Sequence, residues 1–338
     1  MAYPFDLFHL EAQMYNVIMV PTDGSGFDRE AIRVALRIAE KSGAKVRLVR
    51  VVSSATMLGM AASPEAVGLS PEITFKERNA VESELDALAA ECRSMSDAPI
   101  AADLLDGPVA EMLEGYAHRN DIDLIVISSH GRGGISRLAL GSVTDSLIRH
   151  TKIPVLVVKM SSSYLNPQAS DAFKRIVVAL DGSTLAEQVL PCVSALANLE
   201  QSEVTLLHVL VPQTPWPGER SDSMPPWWDR DIAVSRAYLA RIAGTLRGEG
   251  LSVVSDIMVA GNVSQAIGDY AARERADLIA IATHGRGGVA RMVRGSVADA
   301  ITRSSPTSML VFRPENPAEA AGSRKHEGHA LERELALP

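Results

Sequence analysis

Two stretches of the chain set chemically capable residues at the same spacing: DLIVISSHGRGGISRLALGSVTDSLIR, Asp123 to Arg149, and DLIAIATHGRGGVARMVRGSVADAITR, Asp277 to Arg303. Aligned without a gap they agree at 15 of 27 positions, so the chain is a tandem duplication. Each copy runs from a short apolar strand (Leu124 to Ile127; Leu278 to Ile281) through a Gly-rich loop to a Gly-Ser pair that opens a helix. Glycines let backbone N–H groups approach phosphate oxygens with no Cβ in the way. The helix N-terminus adds unsatisfied donors and the positive end of its dipole. The chemistry expected here is anion binding, with phosphate as the ligand. Ser142 and Ser296 fall where an N-cap belongs, so their hydroxyls suit either the helix or a ligand.

A second pair recurs upstream. Asp23-Gly24-Ser25 and Asp181-Gly182-Ser183 each follow an apolar strand. A carboxylate there can accept hydrogen bonds from a nucleoside, or it can simply shape the turn. Arg132 and Arg286 hold equivalent loop places and could neutralise phosphate charge, or remain solvated. His130 and His284 have no second His at ligand spacing, which favours a structural hydrogen bond over a metal or catalytic role. The chain has no GxxxxGK[ST], no Ser-His-Asp and no Cys-His arrangement, so neither a P-loop NTPase nor covalent catalysis is indicated.

The elements that must position these residues read in order as a parallel α/β pattern. Tyr15 to Val20 is a strand, Ala31 to Ala39 has helical spacing stopped by Gly43, and Lys45 to Val52 is the next strand. A charged helix from Glu72 to Met95, a strand from Ile100 to Leu105 and a helix ending near Arg119 lead into the first Gly-rich loop. The helix from Ser142 and the strand Pro154 to Lys159 close the half. The second half repeats these elements, ending on the strand Ser308 to Phe312, with a Pro- and Trp-rich loop at residues 211 to 228 of its own. Trp216, Trp227 and Trp228 read there as a lid or interface patch in preference to a platform that stacks on a base. The organisation expected is residues 15–160, a linker at 161–172, residues 173–313 and a disordered tail at 314–338. The fold class is α/β: two tandem five-stranded parallel-sheet domains with helices on both faces, Rossmann-like. Ligands of such sheets bind at the C-terminal strand ends, at the topological switch point.

At 338 residues, 46% hydrophobic and 22% charged, the chain has a soluble globular balance, and no apolar run approaches a membrane span. The N-terminal residues lack a basic n-region before an apolar core, so a cytoplasmic location is expected. A net charge of −8 disfavours nucleic acid and anionic membrane as partners, so the ligand should be small. Cys92 and Cys192, without CxxC spacing, read as small buried side chains.

These residues resemble the universal stress protein family in its tandem two-domain form. ATP-binding members of that family share the pattern G-x2-G-x9-G-[S/T], met here by Gly131 with Gly141-Ser142 and by Gly285 with Gly295-Ser296. The resemblance implies an adenine nucleotide alpha hydrolase-like fold and ATP as ligand, with Mg2+ as its companion ion. It also implies an intramolecular pseudo-dimer through the two fifth strands, and it is compatible with a homodimer. Pro21, Thr22 and Asp23 would then contact the nucleoside, Val51 would hold adenine through its backbone, and Ile127 would flank the site. Gly131, Gly141, Ser142 and Val143 would take the phosphates. The second-half equivalents are Asp181, Val209, Ile281, Gly285, Gly295, Ser296 and Val297, with Ala179 and Leu180 in place of the Pro-Thr pair. Both halves depart from the pattern at its first glycine, which is Ser128 in one and Ala282 in the other. If that position needs φ > 0, alanine is strained; if glycine gives only clearance, a small Cβ fits. The function implied is that of a nucleotide-dependent stress regulator and not an enzyme. A scaffold that keeps its Gly-rich loops only as turns is the alternative, and a nucleotide-transferring enzyme is a third reading that lacks an acceptor site.

Overall fold

The computed structural model describes residues 15–52, 71–129, 140–159, 173–212, 226–283 and 296–314. Strand β1 (Val17–Pro21) carries its run one residue beyond the expected Val20 and leads into α1 (Arg29–Ser42). Gly43 stops that helix at φ +75°, its N–H donating to Ala39 O, a left-handed position that glycine takes without a Cβ penalty. The first half continues with β2 (Lys45–Val52), α2 (Pro71–Met95), β3 (Ile100–Asp106) and α3 (Val109–Arg119). It closes with β4 (Leu124–Ser128), α4 (Ser142–His150) and β5 (Val155–Val158). The second half comprises β6 (Arg175–Leu180), α5 (Thr184–Glu187), α6 (Leu190–Glu200), β7 (Glu203–Leu210) and α7 (Pro226–Gly248). After these come β8 (Ser252–Val259), α8 (Val263–Arg273), β9 (Leu278–Ala282), α9 (Ser296–Ser304) and β10 (Ser308–Phe312).

Two differences from the expected elements have local causes. The helix after β6 is not a copy of α1 but is cut into α5 and α6, because Pro191 has no N–H and its ring crowds the carbonyl four residues back. Around the break the Gln188 and Val189 amides reach only three residues back, to Leu185 O at 3.2 Å and Ala186 O at 3.4 Å. Helix α7 begins at Pro226, ahead of the expected Asp229. Proline suits the first helical position, where its fixed φ helps and the missing N–H had no partner to lose. Trp227 and Trp228 therefore belong to the first turn of a helix, and Trp216 lies outside the described residues. So do the arm at residues 1–14, the 161–172 segment and, Pro314 apart, the tail.

The ten strands among the described residues form one sheet in the order β3-β2-β1-β4-β5-β10-β9-β6-β7-β8. Neighbours within a half are parallel. The halves meet where β5 and β10 run antiparallel, with Val155 opposite Val311, Leu156 opposite Leu310 and Val157 opposite Met309. Strand alternation sorts the apolar side chains into two layers. Ile18, Val20, Val46 and Leu48 face α1 and α2, whereas Met19, Val49, Ile125 and Ile127 face α3 and α4. Each layer draws on both halves: the first joins α1 to α6, and the second joins Val155 and Val157 to Met309 and Val311. No helix among the described residues is long and apolar enough to cross a membrane.

Cys92 and Cys192 sit in α2 and α6, both free and buried, as the sequence suggested. Burial pushes both thiols up, that of Cys192 to about 12, which starves them of the nucleophilic thiolate. Neither thiol is expected to titrate with Ellman's reagent in the native protein, and both should do so in guanidinium. A fast native reaction would contradict this packing.

Candidate functional site

The strand order reverses once in each half, between β1 and β4 and between β6 and β9, where open α/β sheets leave a crevice beyond their carboxyl ends. Strand register carries the candidate residues to those two places. Pro21 pairs with Val49 and Met19 with Ile125, so two residues further on Asp23 stands level with Val51 on one side and Ser129 on the other. In the second half Ala179 pairs with Leu207 and Ile281, which sets Asp181 level with Val209 and Thr283. Ile127 and Ile281 are buried at the same edge.

Helix α4 is brought to this edge by two bonds. The Gly141 N–H donates to Ser129 O at 3.2 Å, and Thr144 Oγ1 donates to Ser128 O at 3.2 Å. Gly141, not Ser142, is the N-cap; Ser142 is the first helical residue, and the capping residue itself supplies no side-chain hydrogen bond. The expectation for Ser142 is corrected accordingly. A glycine cap has no side-chain oxygen to offer the first-turn amides. Nor does the fold require glycine there. Gly141 has φ −60° and ψ 145°, open to any residue, and among the described residues an added Cβ would meet Thr144 Oγ1 at 3.7 Å and Ser129 O at 3.8 Å, ordinary contacts. Val143, the second residue of α4, and Val297, its counterpart on α9, pack partly against the second apolar layer.

The Asp-Gly-Ser turns behave differently. Gly24 and Gly182 have φ +73° and +81°, so there the backbone does demand glycine. Asp23 Oδ1 accepts the Ser25 N–H at 2.8 Å, and Asp181 Oδ1 accepts the Ser183 N–H at 2.9 Å. Each carboxylate shapes its turn while standing at the crevice edge. The Thr22 hydroxyl is occupied within the turn, donating to Asp28 and accepting the Gly24 N–H at 3.2 Å. Ser128 and Ala282 end β4 and β9 in extended conformation, paired with Val158 and Phe312, and neither has a positive φ. Alanine at the first position of the pattern is therefore unstrained.

Gly131, Gly285 and Gly295 lie outside the described residues, as do His130, His284, Arg132, Arg286 and the side chain of Ser296. Among the described residues no cluster of three or more His, Cys, Asp or Glu is placed to hold a metal ion. Sequence reasoning missed Asp28, Arg50, Glu84 and Thr144, which brace the first-half edge. The one available signal was Arg50, a charge on the buried face of a strand whose neighbours on that face are Val46 and Leu48.

The model of the universal stress protein family matches residues 14–159 and 172–313. The chain belongs to that family. A universal stress protein of Mycolicibacterium smegmatis is 26% identical over 304 residues, covering 88% of this chain and 97% of that protein. One from Mycobacterium tuberculosis is 25% identical over 330 residues, covering 92% and 100%. The crystal structure of a universal stress protein from Archaeoglobus fulgidus shares the fold at 20% identity, covering 90% of this chain and 99% of that one with a TM-score of 0.63. The universal stress protein α/β fold therefore extends over both tandem segments.

Proposed function

We propose that this universal stress protein binds ATP or a related adenine nucleotide at its switch points and acts in the cytoplasm as a nucleotide-dependent regulator of the stress response, not as an enzyme. The observation that carries the reading is Gly141. Its backbone needs no glycine and its described neighbours would accept a Cβ, yet glycine, with no side-chain oxygen of its own, caps this helix at the carboxyl edge of β4. Glycine there serves close approach by something outside the chain, and a phosphate is the ligand that a helix N-terminus favours. In this reading Gly131, Gly141, Ser142 and Val143 take the phosphates through their amides, as do Gly285, Gly295, Ser296 and Val297. Asp23 and Asp181 face the ribose, Val51 and Val209 hold adenine through their backbones, and Ile127 and Ile281 flank it. Pro21 and Thr22 set the first-half turn. Mg2+ would arrive with the phosphates, the way this ion is commonly held.

Calorimetric titration of the full chain with ATP, AMP and cyclic AMP tests this. Binding of at least one is expected, and Gly141→Asp combined with Gly295→Asp should abolish it, because a carboxylate at each helix start repels phosphate and fills the clearance. Absence of heat with all three nucleotides, in protein that melts cooperatively, would leave the scaffold reading in its place.

A further inference from the structure

The two switch-point edges are equivalent in sequence position and unlike in chemistry. In the first half Thr22, buried, bridges the Gly24 N–H and the buried Asp28. The Arg50 guanidinium lies against the turn so closely that a Cβ on Gly24 would stand 2.8 Å from Nη1. Glu84 Oε2 anchors it at 3.0 Å, and Thr144 ties α4 to Ser128 O at 3.2 Å. The repeat puts Leu180, Ala186, His208, Tyr238 and Ala298 at the places of Thr22, Asp28, Arg50, Glu84 and Thr144. The helix alignment is fixed by burial, since Leu85, Ala89 and Cys92 of α2 correspond to Leu239, Ala243 and Leu246 of α7. Leu180, Ala186 and Ala298 are buried apolar groups, and His208 meets Tyr238 edge to face at 6.1 Å, with no counterpart of the Arg50–Glu84 pair at those two positions. The polar ties beside this turn are different ones, Ser183 Oγ accepting the Ala186 N–H at 3.1 Å and Glu187 pairing with Arg241 at 2.8 Å. Both halves keep the Asp-to-Ser turn bond.

Hydrogen bonds and ion pairs fix direction as well as distance, whereas apolar burial is non-directional. A site held in its binding geometry before the ligand arrives loses less free energy to ordering. Resting on the nucleotide reading above, we propose that the two sites are unequal: the first-half site, braced by Thr22, Asp28, Arg50 and Glu84, binds adenine nucleotide tightly, and the second-half site binds it weakly. Arg50 acts as a positioning residue that holds the Asp23-Gly24-Ser25 turn and does not touch the ligand.

Titration of the full chain with ATP should resolve two classes of site whose dissociation constants differ by at least about tenfold. Gly141→Asp should remove the tight class and Gly295→Asp the weak one. Arg50→Gln, which breaks the brace away from the Gly-rich loop, should bring the tight class to within about threefold of the weak one. A merely stabilising Arg50 would lower the melting temperature and leave that ratio unchanged, so melting is followed in parallel. If Arg50→Gln does not fold, the converse exchange of His208→Arg with Tyr238→Glu should tighten the weak class. Two equal sites, or a tight class lost in Gly295→Asp instead of Gly141→Asp, overturn the inequality while the nucleotide reading stands. No heat with ATP overturns both.

Discussion

Replacing Arg37 and Lys41 together by methionine is expected to remove about 3–5 kcal/mol of stability at pH 7, read as a lower urea midpoint at unchanged slope. Both residues lie on α1, and both reach the carboxylate of Glu200 at the end of α6 in the other half. Arg37 Nε stands 2.9 Å from Oε1 and Lys41 Nζ 2.7 Å from Oε2. The Glu200 side chain is 0% exposed, so without the two cations a charge would sit in the interior uncompensated. Lys41 is 37% exposed and partly screened, so Arg37 should account for most of the loss. Glu200→Gln should cost less, because the cations it strands can turn to water. The repeat places Ala195, Leu199 and Ser42 at the equivalent positions, so this cross-half tie is one-sided.

The same triad fixes a pH dependence. Burial alone pushes the Glu200 carboxyl up, but the Lys41 hydrogen bond and the Arg37 charge more than offset it and hold the group below the usual carboxylate range. A folded-state value below the unfolded one contributes stability that is full above the unfolded value and is lost as pH falls through the folded one. In the Arg37→Met, Lys41→Met variant only the burial effect remains, so the folded state prefers the protonated acid. The gap between wild type and variant should therefore narrow as pH falls from 7, first as the buried carboxyl of the variant protonates above its unfolded value and then, below about 4.5, as wild type loses its ion pairs. Equal losses at pH 7 and pH 4 would show that the pair acts through packing and not through charge.

The fold was legible because its signals are periodic and duplicated. The apolar strands, Gly43 as a helix stop and the strand-loop-helix repeat each follow from local rules, and agreement between the halves tested every assignment against a second copy. Three features escaped for physical reasons. The break between α5 and α6 turns on Pro191, whose effect was hidden by assuming that the second half copies the first. The N-cap of α4 shifted by one residue because Gly141 and Ser142 are both acceptable caps, and only the observed φ and ψ separate them. The braces Asp28, Arg50, Glu84 and Thr144 are distant in sequence and meet only through tertiary packing, where composition and spacing carry no signal beyond the charge of Arg50 on a buried strand face. The edge residues Asp23, Val51, Asp181 and Val209 could be placed in advance, since strand ends and register depend on pattern alone.

Leu310→Ala is expected to cost about 2–5 kcal/mol and, more tellingly, to lower a single unfolding transition of the whole chain. Leu310 and Leu156 are 0% exposed and sit opposite each other at the centre of the β5–β10 seam, where one residue's cavity strips contacts from both. Leu156→Ala should cost a similar amount, and the double variant less than the sum, since contacting residues are not independent. The seam is closed by reciprocal caps. Lys159, just after β5, donates to Thr302 O at 2.6 Å near the end of α9, and Arg313, just after β10, donates to Arg149 O at 2.6 Å at the end of α4. Each cation thus satisfies a carbonyl at the negative end of the other half's last helix. Arg303 crosses to Asp145 at 2.9 Å, so the two helices whose N-termini form the candidate phosphate sites are joined through both their side chains and their C-termini. With apolar layers running through the seam on both faces, neither half can lose its edge strand without exposing the other's interior. Differential scanning calorimetry of Leu310→Ala should therefore give one peak at lower temperature. Two separated peaks would mean that each half keeps a core of its own, and that the shared layers contribute little to holding the halves together.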